Sequence, residues 1–163
     1  MVDPSTSTLG NYTITYTTAG TCTNSSDIAI AITALDDATF NYTAASYCLG
    51  ETTQTPTTVV PGGTFTVSPT IGLSIDPATG VIEPSTSTLG NYTVTYTTAG
   101  TCTNSSDVAI AITNLDDSTF NYTATSYCMS DTTQSPTTVV PGGSFVATPA
   151  GLSIDPTLSL IHI

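Results

Sequence analysis

The sequence contains no lysine, no arginine and no tryptophan, and only one histidine. The charges of the twelve acidic residues are not balanced by any lysine or arginine, so the formal net charge at neutral pH is -12. Nucleic acids and anionic lipids are bound largely through lysine and arginine. No apolar run is long enough to cross a bilayer either. The sequence therefore predicts no nucleic-acid partner and no membrane insertion.

The same shortage argues against catalysis. Without histidine or lysine, the many serine and threonine hydroxyls have no ordinary partner that could activate them as nucleophiles. Asp36 and Asp37 are adjacent, as are Asp116 and Asp117, but neighbours on a strand point to opposite faces. A shared catalytic proton does not fit that geometry. The chain is predicted not to be an enzyme and to need no cofactor.

The residues that are present favour β-structure. Valine, isoleucine, tyrosine and phenylalanine stand among many threonines, a composition typical of half-buried strands. Tyr92, Val94 and Tyr96 alternate with threonines, which is the pattern of an antiparallel strand with one face in the core. Glycine and proline clusters separate such runs. The tyrosines are expected to pack the core, with a sugar-binding platform as the alternative.

A long internal repeat organises the chain. The segment that begins at Pro4 recurs from Pro84, a period of 80 residues, and Cys22 and Cys48 recur as Cys102 and Cys128. One residue is lost near Pro149, so the last equivalent residues are 79 apart. Substitutions between the copies, such as Ile14 to Val94, preserve size or charge. The pattern indicates tandem modules under one fold constraint.

Two motifs carry a family resemblance. The segment GLSIDPATGVI at 72–82, followed by GNYTVTY at 90–96, resembles the immunoglobulin-like and cadherin-like tandem repeats of bacterial surface proteins, including secreted Bacteroidetes repeat proteins. The resemblance implies antiparallel immunoglobulin-like β-sandwich modules. It implies one complete module at 35–114, the last strands of a preceding module at 1–34, and the first strands of a following module at 115–157. It also places Tyr92 where sandwich domains carry a corner tyrosine whose hydroxyl bonds back to the main chain.

Four cysteines without a CxxC pair favour disulfides over zinc and an extracellular or cell-surface location. The module boundaries implied by the resemblance pair Cys48 with Cys102. Cys22 and Cys128 are then left for neighbouring modules or for each other. The pairs Cys22–Cys48 and Cys102–Cys128, which would cross a module boundary, remain open.

Two kinds of surface site are further expectations. Carboxylates at module junctions can bind calcium, so Asp36, Asp37, Asp116 and Asp117 are candidate ligands, with solvated acidic linkers as the alternative. Covalent glycans are predicted at Asn-x-Ser/Thr sequons and at short patterns that resemble Bacteroidetes O-glycosylation sites. The candidate acceptors are Asn11, Asn24, Asn41, Asn91, Asn104, Asn121, Ser118 and Thr132.

The last six residues, 158–163, leave the repeat and read LSLIHI. CTGTCTCTTATACACATC encodes this string, and that is the sequence of a common transposase-based sequencing adapter. We therefore expect a non-native tail at the end of a metagenomic read, with His162 in it.

The preferred function is a structural module of a secreted bacterial fibre, stalk or surface array whose partners are adjacent copies of itself. The alternative is the repeat region of a cell-surface adhesin whose ligand-binding module lies elsewhere in the parent chain. A head-to-tail polymer by strand addition between copies is one way in which the terminal halves would be completed.

Overall fold

A computed structural model describes residues 1–157, and the predicted adapter tail with His162 lies outside them. The prediction of an all-β fold is confirmed: short strands, mostly paired antiparallel, dominate, and the only helices among these residues are two 3-10 turns, Pro4–Thr6 and Pro84–Thr86. None of the described helices is long and apolar enough to span a membrane. The chain divides into two compact units, Met1–Asn114 and Leu115–Ile163. The strands are β1 (Gly10–Thr17), β2 (Ser25–Ile32), β3 (Phe40–Asn41), β4 (Ser46–Cys48), β5 (Thr57–Thr58), β6 (Thr64–Ser68), β7 (Gly90–Thr97), β8 (Ser105–Thr113), β9 (Phe120–Asn121) and β10 (Thr137–Thr138).

A four-stranded sheet with the order β4-β8-β7-β6 forms the centre of the first unit. Strands β7 and β8 form an antiparallel hairpin in the middle of this sheet, β6 pairs antiparallel with β7, and the short β4 pairs parallel with β8. Strands β3 and β5 form a separate two-stranded sheet. The buried hydrophobic core runs from Ala38 to Ile112, and its largest fully buried side chains include Tyr96, Ile82, Ile110 and Val94.

The period-two pattern explains which face of the β7–β8 hairpin is buried. Tyr92, Val94 and Tyr96 alternate with threonines that are more exposed, and the β8 partners Ile110 and Ile112 point to the same side. The Tyr92 hydroxyl donates to the Thr88 carbonyl at 2.9 Å, so the predicted corner tyrosine bonds back to the main chain.

Residues 1–34 contain a second copy of this hairpin. Strands β1 and β2 pair with the register that β7 and β8 have, and the Tyr12 hydroxyl donates to the Thr8 carbonyl at 2.7 Å, as Tyr92 does to Thr88. Within the described residues, however, β1 and β2 form a sheet of only two strands. The hairpin therefore forms without the flanking strands that cover its equivalent.

The second unit repeats the other part of the module. Strands β9 and β10 pair as β3 and β5 do, with Thr138 opposite Phe120 where Thr58 lies opposite Phe40. The segments equivalent to β4 and β6, at 126–128 and 144–148, form no strand there. In the first unit β4 and β6 flank the β7–β8 hairpin, whereas residues 115–157 of the second unit contain the two equivalent segments but no equivalent hairpin.

The module places Cys48 and Cys102 at opposite ends of β8, which corrects the expected pairing. Cys48 lies opposite Thr113, the last residue of β8, whereas Cys102 precedes the first residue, Ser105. A strand of nine residues spans about 30 Å, whereas a disulfide requires Cα atoms within about 7 Å. A Cys48–Cys102 bridge inside one module is therefore incompatible with this fold.

Candidate assembly surfaces

The apolar face of the β1–β2 hairpin is uncovered. We call this surface the hairpin face; it is formed by Tyr12, Ile14, Tyr16, Ile28, Ile30 and Ile32. Tyr16 is 69% exposed and Ile14 is 40% exposed, whereas their equivalents Tyr96 and Val94 are 1% and 0% exposed. Each hairpin thus presents the same kind of face, but only one of the two is buried. Exposed contiguous apolar patches on soluble proteins mark interaction surfaces.

In the complete module, residues 35–114, one surface covers the β7–β8 hairpin. The second unit has the equivalent of this surface, and there it is exposed. We call it the acceptor cleft; its main apolar members are Phe120, Tyr127, Phe145 and Leu152. Phe120 is 49% exposed and Leu152 is 50% exposed, whereas their equivalents Phe40 and Leu73 are buried. The aromatic arrangement is already in place, because the Phe120 and Phe145 rings lie 5.3 Å apart at 82° and the Phe40 and Phe65 rings lie 5.6 Å apart at 79°.

In the complete module, a socket receives Tyr96. Its ring centroid lies 4.6 Å from that of Phe65 and 5.8 Å from that of Phe40. The Tyr96 hydroxyl accepts a hydrogen bond from the Gly63 N–H at 2.9 Å and donates one to the Val60 carbonyl at 2.6 Å. The side chain is therefore held by two aromatic rings and by both hydrogen-bonding functions of its hydroxyl.

The equivalent socket in the second unit is a cleft of about 560 Å³. Phe120, Val140, Gly143 and Phe145 line it, and they correspond in the repeat to the four residues that hold Tyr96. A Cβ atom built on Gly143 meets no atom within 4 Å, whereas one built on Gly63 would lie 2.7 Å from the Tyr96 ring. This cleft has the chemistry to hold the ring and hydroxyl of a tyrosine such as Tyr16.

A second cleft of about 800 Å³ adjoins the first along the acceptor cleft. Tyr127, Gly151 and Leu152 are among its lining residues, and they correspond to Tyr47, Gly72 and Leu73. In the complete module the backbone at Gly72 lies against the Tyr92 hydroxyl, so closely that a Cβ atom there would collide with it. The second cleft therefore corresponds to the space that Tyr92 and the end of β8 fill.

Several carboxylates and one phenol have a pKa that departs from the ordinary value. Hydrogen bonds from the side chain and the backbone of Thr39 lower the pKa of Asp37, and Thr119 does the same for Asp117. Burial, with a smaller contribution from nearby Tyr47, raises the pKa of the Tyr42 phenol, whose hydroxyl donates to the Gly80 carbonyl at 2.5 Å. These groups have structural partners.

The candidate calcium ligands do not converge in the part of the chain that the structure describes. No group of three or more histidine, cysteine or acidic side chains in residues 1–157 is arranged to hold a metal ion. The Asp36 amide donates to the Cys102 carbonyl at 2.9 Å, and its buried Oδ2 has no hydrogen-bond partner. Asp116 and Asp117 are exposed. The calcium site stays a prediction.

The predicted glycan acceptors are mostly accessible. All are exposed except Asn104, which is half-buried. The Asn104 amide donates to the Asp36 carbonyl at 3.1 Å, and its Oδ1 accepts from the Ser105 N–H at 2.9 Å. A glycan on Asn104 would replace one of the two N–H groups of this half-buried amide, so Asn104 is the acceptor least suited to modification. The other sites stay predictions.

Comparison of the chain with known protein families, with curated protein sequences and with solved structures finds no match. The resemblance to bacterial immunoglobulin-like repeats stays a prediction that these comparisons do not test. The assembly surfaces were only partly foreseen from the sequence. The repeat and the incomplete halves suggested strand addition, but no sequence signal placed β4 beside β8, because Tyr47 is the only large apolar residue in Ser46–Cys48.

Proposed function

We propose that the chain is a non-catalytic structural module of a secreted bacterial fibre, stalk or surface array. Its modules are immunoglobulin-like sandwiches, and the hairpin face of one copy binds the acceptor cleft of a second copy. Each composite module then has the strand order of the complete one. A contact between two different surfaces repeats from copy to copy and produces an open, head-to-tail filament. The same contact joins successive repeats when they lie in one polypeptide.

The observation that carries the proposal is the match between two exposed surfaces and one buried interface. Tyr96 and Phe65 are buried against each other in the first unit, whereas their equivalents are more accessible: Tyr16 is exposed and Phe145 is half-buried. The complete module supplies the template for the proposed contact, residue by residue. A partner of unrelated chemistry would have no reason to fit both surfaces.

Main-chain pairing also supports a second copy of the chain as the partner. Strand β8 pairs with β4 and strand β7 pairs with β6, so the hairpin has a partner on each edge. The outer edges of β1 and β2 have no strand partner within the described residues, and neither do the segments 126–128 and 144–148. Insertion of the hairpin therefore satisfies backbone groups on four edges at once, as in strand addition.

Sedimentation velocity of the reduced chain over a range of concentrations tests the proposal. We expect species whose masses are whole multiples of the chain mass and grow with concentration. Ile14→Asp places a charge on the hairpin face and should leave the chain monomeric. Thr13→Asp adds the same charge on the opposite, exposed face of β1 and should assemble like the wild type.

Both variants keep residues 35–114 unchanged, so the unfolding transition of that module reports whether it is still folded. A wild-type chain that stays monomeric at all concentrations would refute the proposal. Equal assembly of Ile14→Asp and Thr13→Asp would refute it as well, because the hairpin face would then not be the contact.

A further inference from the structure

The cysteines mark the two ends of each module. Cys102 lies at the end where the chain enters, since its carbonyl accepts from the Asp36 amide and its Sγ lies 2.9 Å from the Thr33 Oγ1. Cys48 lies at the end where the chain leaves, since the Thr113 Oγ1 donates to its Sγ at 3.7 Å. Thr33 and Thr113 are equivalent residues in the repeat.

Thr33 and Thr113 contact different cysteines because, at each junction, one of the two modules that meet there is incomplete. At Thr33 the structure has the cysteine of the module that follows the junction, and at Thr113 it has the cysteine of the module that precedes it. If the junctions are alike, a complete one brings both sulfurs against a single threonine hydroxyl. Two sulfurs at 2.9 Å and 3.7 Å from one oxygen would share a small volume, and they form a disulfide if their Cα atoms lie within about 7 Å of each other.

We infer that disulfides staple successive modules across their junctions, and that in an assembly of this chain they pair Cys48 of one copy with Cys22 of the next, and Cys128 of the first copy with Cys102 of the next. The inference rests on the proposed function. When the hairpin of a second copy fills the acceptor cleft, Cys22 takes the place of Cys102 in the composite module and lies beside Thr113. Cys128 takes the place of Cys48 and lies beside Thr33 of the second copy. All four thiols thereby gain a partner.

The chemistry is thiol–disulfide exchange with a small-molecule disulfide as the oxidant. The thiolate of one cysteine attacks the oxidant, forms a mixed disulfide and releases one small thiol. The thiolate of the second cysteine then attacks the protein sulfur of that mixed disulfide and releases the other small thiol. The two protein thiols lose two protons and two electrons, and the oxidant becomes two thiols. Cys22 and Cys128 are exposed, so the oxidant reaches at least one member of each pair.

The experiment uses the full chain, assembled in the reduced state and then treated with oxidised glutathione. A non-reducing gel should show a ladder of covalent multimers that reductant removes. Peptide mapping of these multimers should find Cys22 linked to Cys48 and Cys102 linked to Cys128. Because the chain has no lysine or arginine, mapping requires a protease that cleaves at aromatic or acidic residues.

Paired double substitutions distinguish the possible pairings. Cys22→Ser with Cys48→Ser removes one proposed bond and leaves the other, so the ladder should persist. Cys22→Ser with Cys102→Ser leaves only Cys48 and Cys128, and Cys48→Ser with Cys102→Ser leaves only Cys22 and Cys128; neither should form a ladder. A ladder from the last variant would show Cys22–Cys128 pairing and overturn the inference.

The disulfide inference is also overturned if the thiols stay free in the assembled chain. It is overturned as well if disulfides form but the non-reducing gel shows only monomer. Sedimentation of the reduced chain separates the two ideas. If the reduced chain assembles but the mapped bonds differ, only the disulfide inference fails. If the reduced chain does not assemble, the proposed function fails and the stapling between chains fails with it.

Discussion

The same substitution, tyrosine to phenylalanine, should have different consequences at the equivalent positions Tyr96 and Tyr16. Tyr96→Phe leaves the buried Gly63 N–H and the Val60 carbonyl without their partner. Loss of hydrogen bonds to buried polar groups destabilises a fold by about 1–3 kcal/mol. We therefore expect Tyr96→Phe to lower the free energy of unfolding of the module by that amount, with the ring contacts to Phe40 and Phe65 retained.

Tyr16→Phe should leave the unfolding of the module unchanged, because the Tyr16 side chain is 69% exposed. Its effect should appear in association. In the second copy the hydroxyl would meet the Val140 carbonyl and the Gly143 N–H, so its loss should weaken binding by about 1–3 kcal/mol, or roughly fivefold to 150-fold.

Tyrosine fluorescence during denaturation in urea measures the first quantity, since the chain has no tryptophan to mask the eight tyrosines. Sedimentation velocity measures the second. The reasoning is refuted if Tyr16→Phe associates as tightly as the wild type, or if it shifts the unfolding transition of the monomer as far as Tyr96→Phe does.

Three further predictions concern the glycines of the sockets, salt and acid. Gly63→Ala should destabilise the module by about 1–3 kcal/mol, because a Cβ there would collide with the Thr97 carbonyl and with the Tyr96 ring, whereas Gly143→Ala should leave the monomer intact and block assembly; denaturation and sedimentation separate the two. Added salt should strengthen assembly, because a chain of net charge -12 repels its copies; association that weakens from 50 to 500 mM salt, as sedimentation would show, contradicts this. Hydrogen bonds from the Ala78 and Thr79 amides lower the pKa of Asp76 below 3.8, so its stabilising effect is complete above that pH and is lost as the pH falls through the lowered pKa. Denaturation at several pH values should show this acid dependence reduced in Asp76→Asn.

Much of the module follows from sequence pattern. Alternation over Tyr92–Tyr96 predicted β7 and its buried face, and the corner position predicted the Tyr92 hydrogen bond, because both depend on local geometry and side-chain polarity. The segments 73–75 and 81–82 form only isolated bridges, through Ile75 and Ile82. Short segments with one or two apolar residues carry too weak a period to fix their pairing.

The disulfide prediction was wrong for a related reason. A repeat period shows which cysteines are equivalent, but it does not show at which end of a strand each cysteine lies. That depends on the parallel pairing of β4 with β8, which joins residues more than sixty positions apart and leaves no local pattern. Once Cys48 is placed opposite Thr113, a bond from Cys48 to Cys102 within one module no longer fits.

The two assembly surfaces are already shaped before they meet, and this bears on how tightly they bind. In the free hairpin the Thr18 amide donates to the Asn24 carbonyl at 2.9 Å, and the complete module has the same bond from Thr98 to Asn104. The acceptor cleft likewise holds Phe120 against Phe145 in the edge-to-face arrangement of the filled core. Ordering of mobile groups on association weakens binding; the hairpin and the aromatic pair need little of it, whereas segments 126–128 and 144–148 must still form strands. The proposed contact therefore begins with the hairpin and the aromatic pair already ordered.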